Sequence, residues 1–257
     1  MTQTIKRAAQ QVLFYAGLVG VWAYIAHLHI WPPYIVPPPS DVYAALRDGF
    51  EDHSFWIAIA VSGRHMLLGY GISVLLGTFL GIALAANQYL EQTVGGLLVS
   101  LQSMPSICWL PLAVLWFGLS ENAILFVIVM GSTLSVTISM ETGRKHMPKI
   151  YSMAGRNLGA RKWNLFRHVL LPASMPYIIT GLKQGWAFAW RSLFAGEMLS
   201  ATLGLGQRLN AGRDNNDMPQ VIAVMILIVA IGYIVDGWFF RTVERRLQYK
   251  WGLLPST

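Results

Sequence analysis

The sequence predicts an all-α fold, a polytopic membrane helix bundle of about six transmembrane helices with a long cytoplasmic loop. Three observations predict it. Hydrophobic residues make up 54% of the 257 and charged ones only 12%, about half the charged share of a soluble domain. The charges sit in blocks, so that 8–40, 65–90, 92–120 and 122–140 carry no Asp, Glu, Lys or Arg. Roughly 18 apolar residues span a bilayer core as a helix. Runs such as "ISVLLGTFLGIALAA" also lack a polar face at helical period, which excludes a soluble helical core.

In chain order, the first span covers roughly 10–30, behind Lys6 and Arg7. It is too long for a secretory signal and leads into "WPPYIVPPPS" rather than a small-residue cleavage site, so it reads as a retained anchor. Ser40 or Asp41 then caps a short amphipathic helix to about Phe50, apolar at Val42, Ala45, Leu46 and Phe50, on the outer membrane surface. Span two, 64–86, carries Gly69, Gly71, Gly77 and Gly81, small residues that let helices approach closely in lipid. In span three, 94–118, Pro105 and Pro111 break or bend the helix, and broken backbone at membrane depth belongs beside protein or a water-filled cavity. Met104 and Trp109 in this stretch are candidates to line such a cavity. Span four is 122–140. Span five, 175–199, is interrupted by Lys183, Arg191 and Glu197, and span six runs over 218–240.

Six spans put both termini on one side. That side holds thirteen basic residues: Lys6, Arg7, Arg144, Lys145, Lys149, Arg156, Arg161, Lys162, Arg167, Arg241, Arg245, Arg246 and Lys250. The other holds four: Arg47, Arg64, Arg208 and Arg213. Basic loops stay in the cytoplasm, so both termini are expected there. The same residues account for the net charge of +7 without a nucleic-acid partner. The single cysteine, Cys108, permits no disulfide within the chain and has no metal-ligand cluster around it.

The cytoplasmic segment 141–173 is too polar to span and too long for a turn. Its pattern is a helix to about Leu158, a stop at Gly159, and a second helix from near Ala160 that ends before Pro172. Here the sequence resembles the permeases of binding-protein-dependent importers of the ATP-binding cassette class. Their signature is Glu-Ala-Ala, three residues, Gly, nine residues, Ile, one residue, Leu-Pro. Ala154 holds the first alanine place, Gly155 the second, Gly159 the glycine, Val169 the isoleucine, and Leu171 and Pro172 the ending, with every spacing kept. Met153 stands in the glutamate place, a departure that removes a charge near the ATPase. The resemblance extends through "VPPPSDV", "MPSICWLPLAVLWFGL", "LLPASMPYIITGL", "AWRSLFAGEML" and "GLG", in order, to the branch that serves alkanesulfonates, taurine, nitrate and bicarbonate.

The resemblance implies a homodimer in a bacterial inner membrane, two separate ATP-binding cassette subunits that bind ATP and Mg, and an external substrate-binding protein. It implies no cofactor in this chain. It also implies a coupling helix, with Met153, Ala154, Gly155, Arg156, Gly159, Ala160, Arg161, Lys162 and Pro172 as its residues. The chain has no Gly-x-x-x-x-Gly-Lys-Ser/Thr phosphate loop, so energy must arrive through contact.

Charges inside a span are costly and mark functional candidates. Lys183 lies near the cytoplasmic end, where it can snorkel to the interface, and Glu197 lies near the outer end, within reach of water. Arg191 falls at mid-span. On a helix it shares a face with Gln184 and Phe188, while Lys183, Trp186, Trp190 and Glu197 share an adjoining one. Arg191 pairs with a carboxylate such as Glu197 of a second copy, is captured by backbone carbonyls at a kink, or presents a guanidinium to an anion on the translocation path. The candidate path residues are therefore Arg191, Trp190, Gln184, Lys183, Glu197, Met104 and Trp109. A membrane-embedded enzyme and a self-powered carrier are the alternatives. The first needs clustered ligands, whereas His27, His29, His53, His65, His146 and His168 are scattered; the second lacks an obvious inverted repeat.

Overall fold

Apolar side chains without a polar stripe drive helix formation, because a backbone in lipid must satisfy its own hydrogen bonds. The computed structural model of the chain describes residues 2–145 and 149–250. His146, and the side chains of Arg7, Arg144, Lys145, Lys149, Lys162 and Lys250, lie outside the described residues. Twelve helices are named here: α1 (Thr2–His27), α2 (Pro39–Glu51), α3 (Ser54–Ala86), α4 (Gln88–Gln102), α5 (Ser106–Phe117) and α6 (Glu121–Lys145). After these come α7 (Lys149–Asn157), α8 (Lys162–Leu165), α9 (Leu171–Leu199), α10 (Leu205–Asp214), α11 (Met218–Ile234) and α12 (Arg241–Lys250). Wider π-type turns at Phe166–Leu170 and Val235–Phe240 join α8 to α9 and α11 to α12.

Among the described residues, four helical stretches are long and apolar enough to cross a membrane: Ala9–His27, Ser54–Ala86, Glu121–Gly143 and Met218–Leu247. The pair α4 and α5, bent by 101°, makes a fifth if counted as one span. Helix α9, 29 residues long, is not among them because Lys183, Arg191 and Glu197 dilute its apolarity. At 1.5 Å per residue it is about 43 Å long, enough to cross.

The centre of the bundle is α6, packed between α3 on one side and α9 on the other. Glycines permit this. A Cβ at Gly69 would fall 2.7 Å from Ile128 of α6, one at Gly77 2.7 Å from Val136, and one at Gly81 2.8 Å from the carbonyl of Thr137. Gly181, Gly185 and Gly196 do the same for α9. Gly71 faces open space instead. Tyr70 of α3 donates to the carbonyl of Leu182 of α9 at 2.7 Å, tying the outer pair together.

Several expected boundaries move. Helix α3 starts ten residues before Arg64, so Arg64 lies within the helix. Helix α2 is led by Pro38 and Pro39, and neither Ser40 nor Asp41 caps it; Pro39 supplies the fixed φ of a first turn. It packs through Val42 against α3 and α11. The break in span three follows Gln102, with Pro105 leading a 3-10 turn at Ser106–Trp109, while Pro111 sits in the first turn of the next helical stretch and breaks nothing. At the hairpin, the second helix does not end before Pro172. The π turn at Phe166–Leu170 leads straight into α9 with Pro172 in its first turn, and the hydroxyl of Ser174 donates to the carbonyl of Leu170 at 2.9 Å.

Candidate functional site

Three regions carry the predicted residues. The first is the hairpin of α7 and α8. Helix α7 ends in a Schellman turn: the amide of Ala160 donates to the carbonyl of Gly155 at 2.9 Å, and that of Gly159 to Arg156 at 3.0 Å. Gly159 has φ +80°, a left-handed conformation that disfavours side chains. Gly155 is buried, and a Cβ there would lie 2.7 Å from Leu165 and 3.0 Å from Val169. The small residue Gly155 and the apolar Val169, ten positions past the turn glycine, are thus packing partners. The rest of the hairpin is open: Ile150, Tyr151, Met153 and Leu158 are exposed, as are Ala154, Arg156 and Arg161. Lys162 opens α8. Behind the hairpin an apolar cavity of about 590 Å³ lies between α3 and α9, lined by Val74, Ile82, Met140, Leu170 and Ile178 among others.

The second region is the free side of α9. Thr180, Gln184 and Arg191 are exposed and Phe188 half-buried between them, with the Arg191 guanidinium 5.7 Å from the Phe188 ring. The predicted sharing of one face holds. The adjoining group separates. Trp186 and Trp190 stack at 6.0 Å and pack with Met66, Ile128 and Leu193, so Trp190 belongs to the core. Lys183 lies 3.3 Å from Asp236 in the π turn after α11, a partner the sequence reading did not name. Met104 and Trp109 lie half-buried around the break between α4 and α5, with Trp109 edge-on to Phe126 at 6.5 Å.

The third region is the end of α9 away from the hairpin, where Glu197 departs from expectation. It is fully buried and neither reaches water nor faces Arg191. Its carboxylate accepts from Ser62 Oγ at 2.7 Å, His65 Nδ1 at 2.9 Å and the amide of Gly206 at 3.0 Å. Ser62 Oγ in turn accepts from the amide of Leu205 at 2.8 Å. A buried carboxylate needs such donors. Enclosed in its own chain, it is not available to Arg191 of a second copy. Beside it, Arg64 pairs with Glu121, whose other oxygen lies 3.8 Å from His65 Nε2. A polar recess of about 370 Å³ opens nearby, lined by Asp41, Asp48, Asp52, Arg208 and Asp217. There the amide and hydroxyl of Ser54 hold the Asp52 carboxyl below the usual carboxylate range.

Comparison with known proteins places this arrangement. Residues 73–249 match the model of the family described as binding-protein-dependent transport system inner membrane component. The taurine transport system permease protein of Escherichia coli K12 is 29% identical over 237 residues, covering 90% of this chain and 86% of that protein. A putative ABC transporter permease protein of Methanocaldococcus jannaschii is 30% identical, covering 90% and 88%. A nitrate import permease protein of Leptolyngbya laminosa is 26% identical, covering 91% and 86%. Among solved structures, an inward-facing methionine ABC transporter matches with a TM-score of 0.58 at 20% identity, over 76% of this chain and 94% of that one. An amino acid ABC transporter with histidines gives 0.62 at 16%, over 78% and 97%. The buried α3–α6–α9 packing, the helix–glycine–helix hairpin and a family match over most of the length make this chain a member of the binding-protein-dependent transport system inner membrane components, the permease subunits of ABC importers.

Proposed function

We propose that two copies of this chain form the membrane channel of an importer for a small oxyanion. Two ATP-binding cassette subunits bind ATP and Mg²⁺ on the cytoplasmic side, and an external binding protein delivers solute. Both termini and the hairpin lie in the cytoplasm. The observation that carries the reading is the set of large apolar side chains left exposed on the hairpin, Ile150, Tyr151 and Met153 on α7 and Leu158 in the turn after it, around a helix held down at the buried Gly155. Exposed apolar residues grouped in this way mark a protein contact, and the exposed Met153 is an apolar, adaptable contact in the place where a glutamate stands in the family signature.

Alternating access follows from rocking of the two copies around a shared cavity. The free side of α9, with Gln184, Phe188 and Arg191, supports a path that favours anions, since a guanidinium grips an oxyanion through paired hydrogen bonds. The names of the taurine and nitrate permeases fit that class. Replacing Gly159 by Val forces a β-branched residue into a left-handed turn and displaces α7. The expected outcome is a permease that still reaches the membrane but no longer retains the ATPase subunits on affinity purification. Full retention of the ATPase by Gly159→Val would remove the hairpin from the contact.

A further inference from the structure

We propose that Glu197 is the positioning residue that makes α3, α9 and α10 one rigid body, carrying movement from the hairpin to the opposite face of the membrane. The proposal rests on the importer reading for the direction of that movement. Helix α9 runs as one helix from the hairpin to Glu197, with Pro176 two turns or less from its start and no proline between there and Glu197. The next helix, α10, begins at Leu205 with no side-chain cap of its own, and its first two amides need acceptors. They find them in two other elements. The amide of Leu205 donates to Ser62 Oγ of α3, and that of Gly206 to Glu197 of α9. The carboxylate is thus a cap supplied in trans, favoured by the positive end of the α10 dipole.

The fit leaves no slack. A Cβ at Gly204 would collide with the Glu197 carboxylate, and one at Gly206 would lie 2.6 Å from Glu197 Cβ. Leu205 between them is fully buried. His65 adds a third donor at 2.9 Å, and its Nε2, with no hydrogen-bond partner among the described residues, faces Glu121 at the start of α6. Three donors, two from α3 and one from α10, therefore converge on one buried carboxylate of α9. From there α10 carries Arg208 to the wall of the polar recess. Charge-assisted bonds in a dry site are strong, and no other hydrogen bond of the described residues anchors the α10 N-terminus to α3 or α9.

The test uses the full complex in lipid discs, with Cys108→Ser and spin labels on cysteines placed at Thr180 of α9 and Arg213 of α10, both exposed. Distances are read without nucleotide and after trapping with ATP and vanadate. With Glu197 intact, one narrow α9–α10 distance is expected in both states. Glu197→Gln presents an amide N–H₂ to groups that are themselves donors, and Gly206→Ala pushes the helix off without changing charge. Each is expected to make the distance differ between the two states, with the narrow population falling about tenfold, the scale of one lost charge-assisted bond. Three results overturn the proposal: a wild-type distance that changes with nucleotide, a Glu197→Gln distance that stays single and unshifted, or the same displaced distance in both states, which marks a static cap only. Absence of ATPase from the complex would overturn the importer reading instead; labels on the permease alone then still show whether Glu197 pins α10, a retained narrow distance in Glu197→Gln counting against the proposal.

Discussion

Arg191 and Glu197 are six residues apart on α9 and have opposite circumstances. Arg191 was readable as exceptional from its place at mid-span, and its face with Gln184 and Phe188 followed from helical spacing alone. Glu197 was readable only as a charge near a helix end. Its partners Ser62 and His65 lie 135 and 132 positions away, and no local pattern connects them. The same holds for Lys183 and Asp236. With Glu197 committed elsewhere, an Arg191–Glu197 pair between copies is no longer an explanation for Arg191. Removing its charge should therefore spare assembly and impair passage. Arg191→Gln is expected to lower uptake of the transported anion by roughly 1–3 kcal/mol in barrier, the worth of a hydrogen bond to a charged group. Arg191→Lys, which keeps charge and loses the planar fork, should fall between. Uptake in proteoliposomes, measured beside the yield of assembled complex, checks both; normal uptake by Arg191→Gln removes the residue from the path.

Helices α3, α6 and α9 show what small residues do at the scale of an element. The glycine spacing of α3 was legible, yet it could not say which glycine meets which neighbour. Gly69, Gly77 and Gly81 lie against α6, whereas Gly71 meets nothing within 4 Å. Gly77→Leu is expected to destabilise the permease by about 1–3 kcal/mol through overpacking, lowering its melting temperature in detergent, while Gly71→Leu leaves it unchanged. Equal melting temperatures would mean that α3 and α6 are not held at this distance. The prolines teach a related lesson. Pro105 marks a break, but Pro111 and Pro172 sit in first turns, where the missing N–H has no bond to lose. Sequence reading treated all three as interruptions because the position of a proline within a helix depends on where the helix starts, and that was set by tertiary packing.

For the whole molecule, orientation remains the property to test directly. A cysteine placed at Ser40, in the Cys108→Ser background, is expected to react with an impermeant maleimide added to intact cells, and one at Ser152 only after permeabilisation. The reverse pattern would invert the importer and place the hairpin on the wrong side of the membrane. Composition and charge blocks by themselves determined that the chain is a helical membrane protein, because lipid admits few other solutions for long neutral runs. The ordered motifs and the glycine at Gly159 determined the importer class and the turn of the hairpin, since a left-handed residue followed by a helix start is a local property. Only the tertiary structure decided that α6 is the centre, that Trp190 is core, and that Glu197 is a buried cap for α10. Those facts depend on contacts between residues far apart in the chain, and no periodicity within one helix specifies which face of another it will meet.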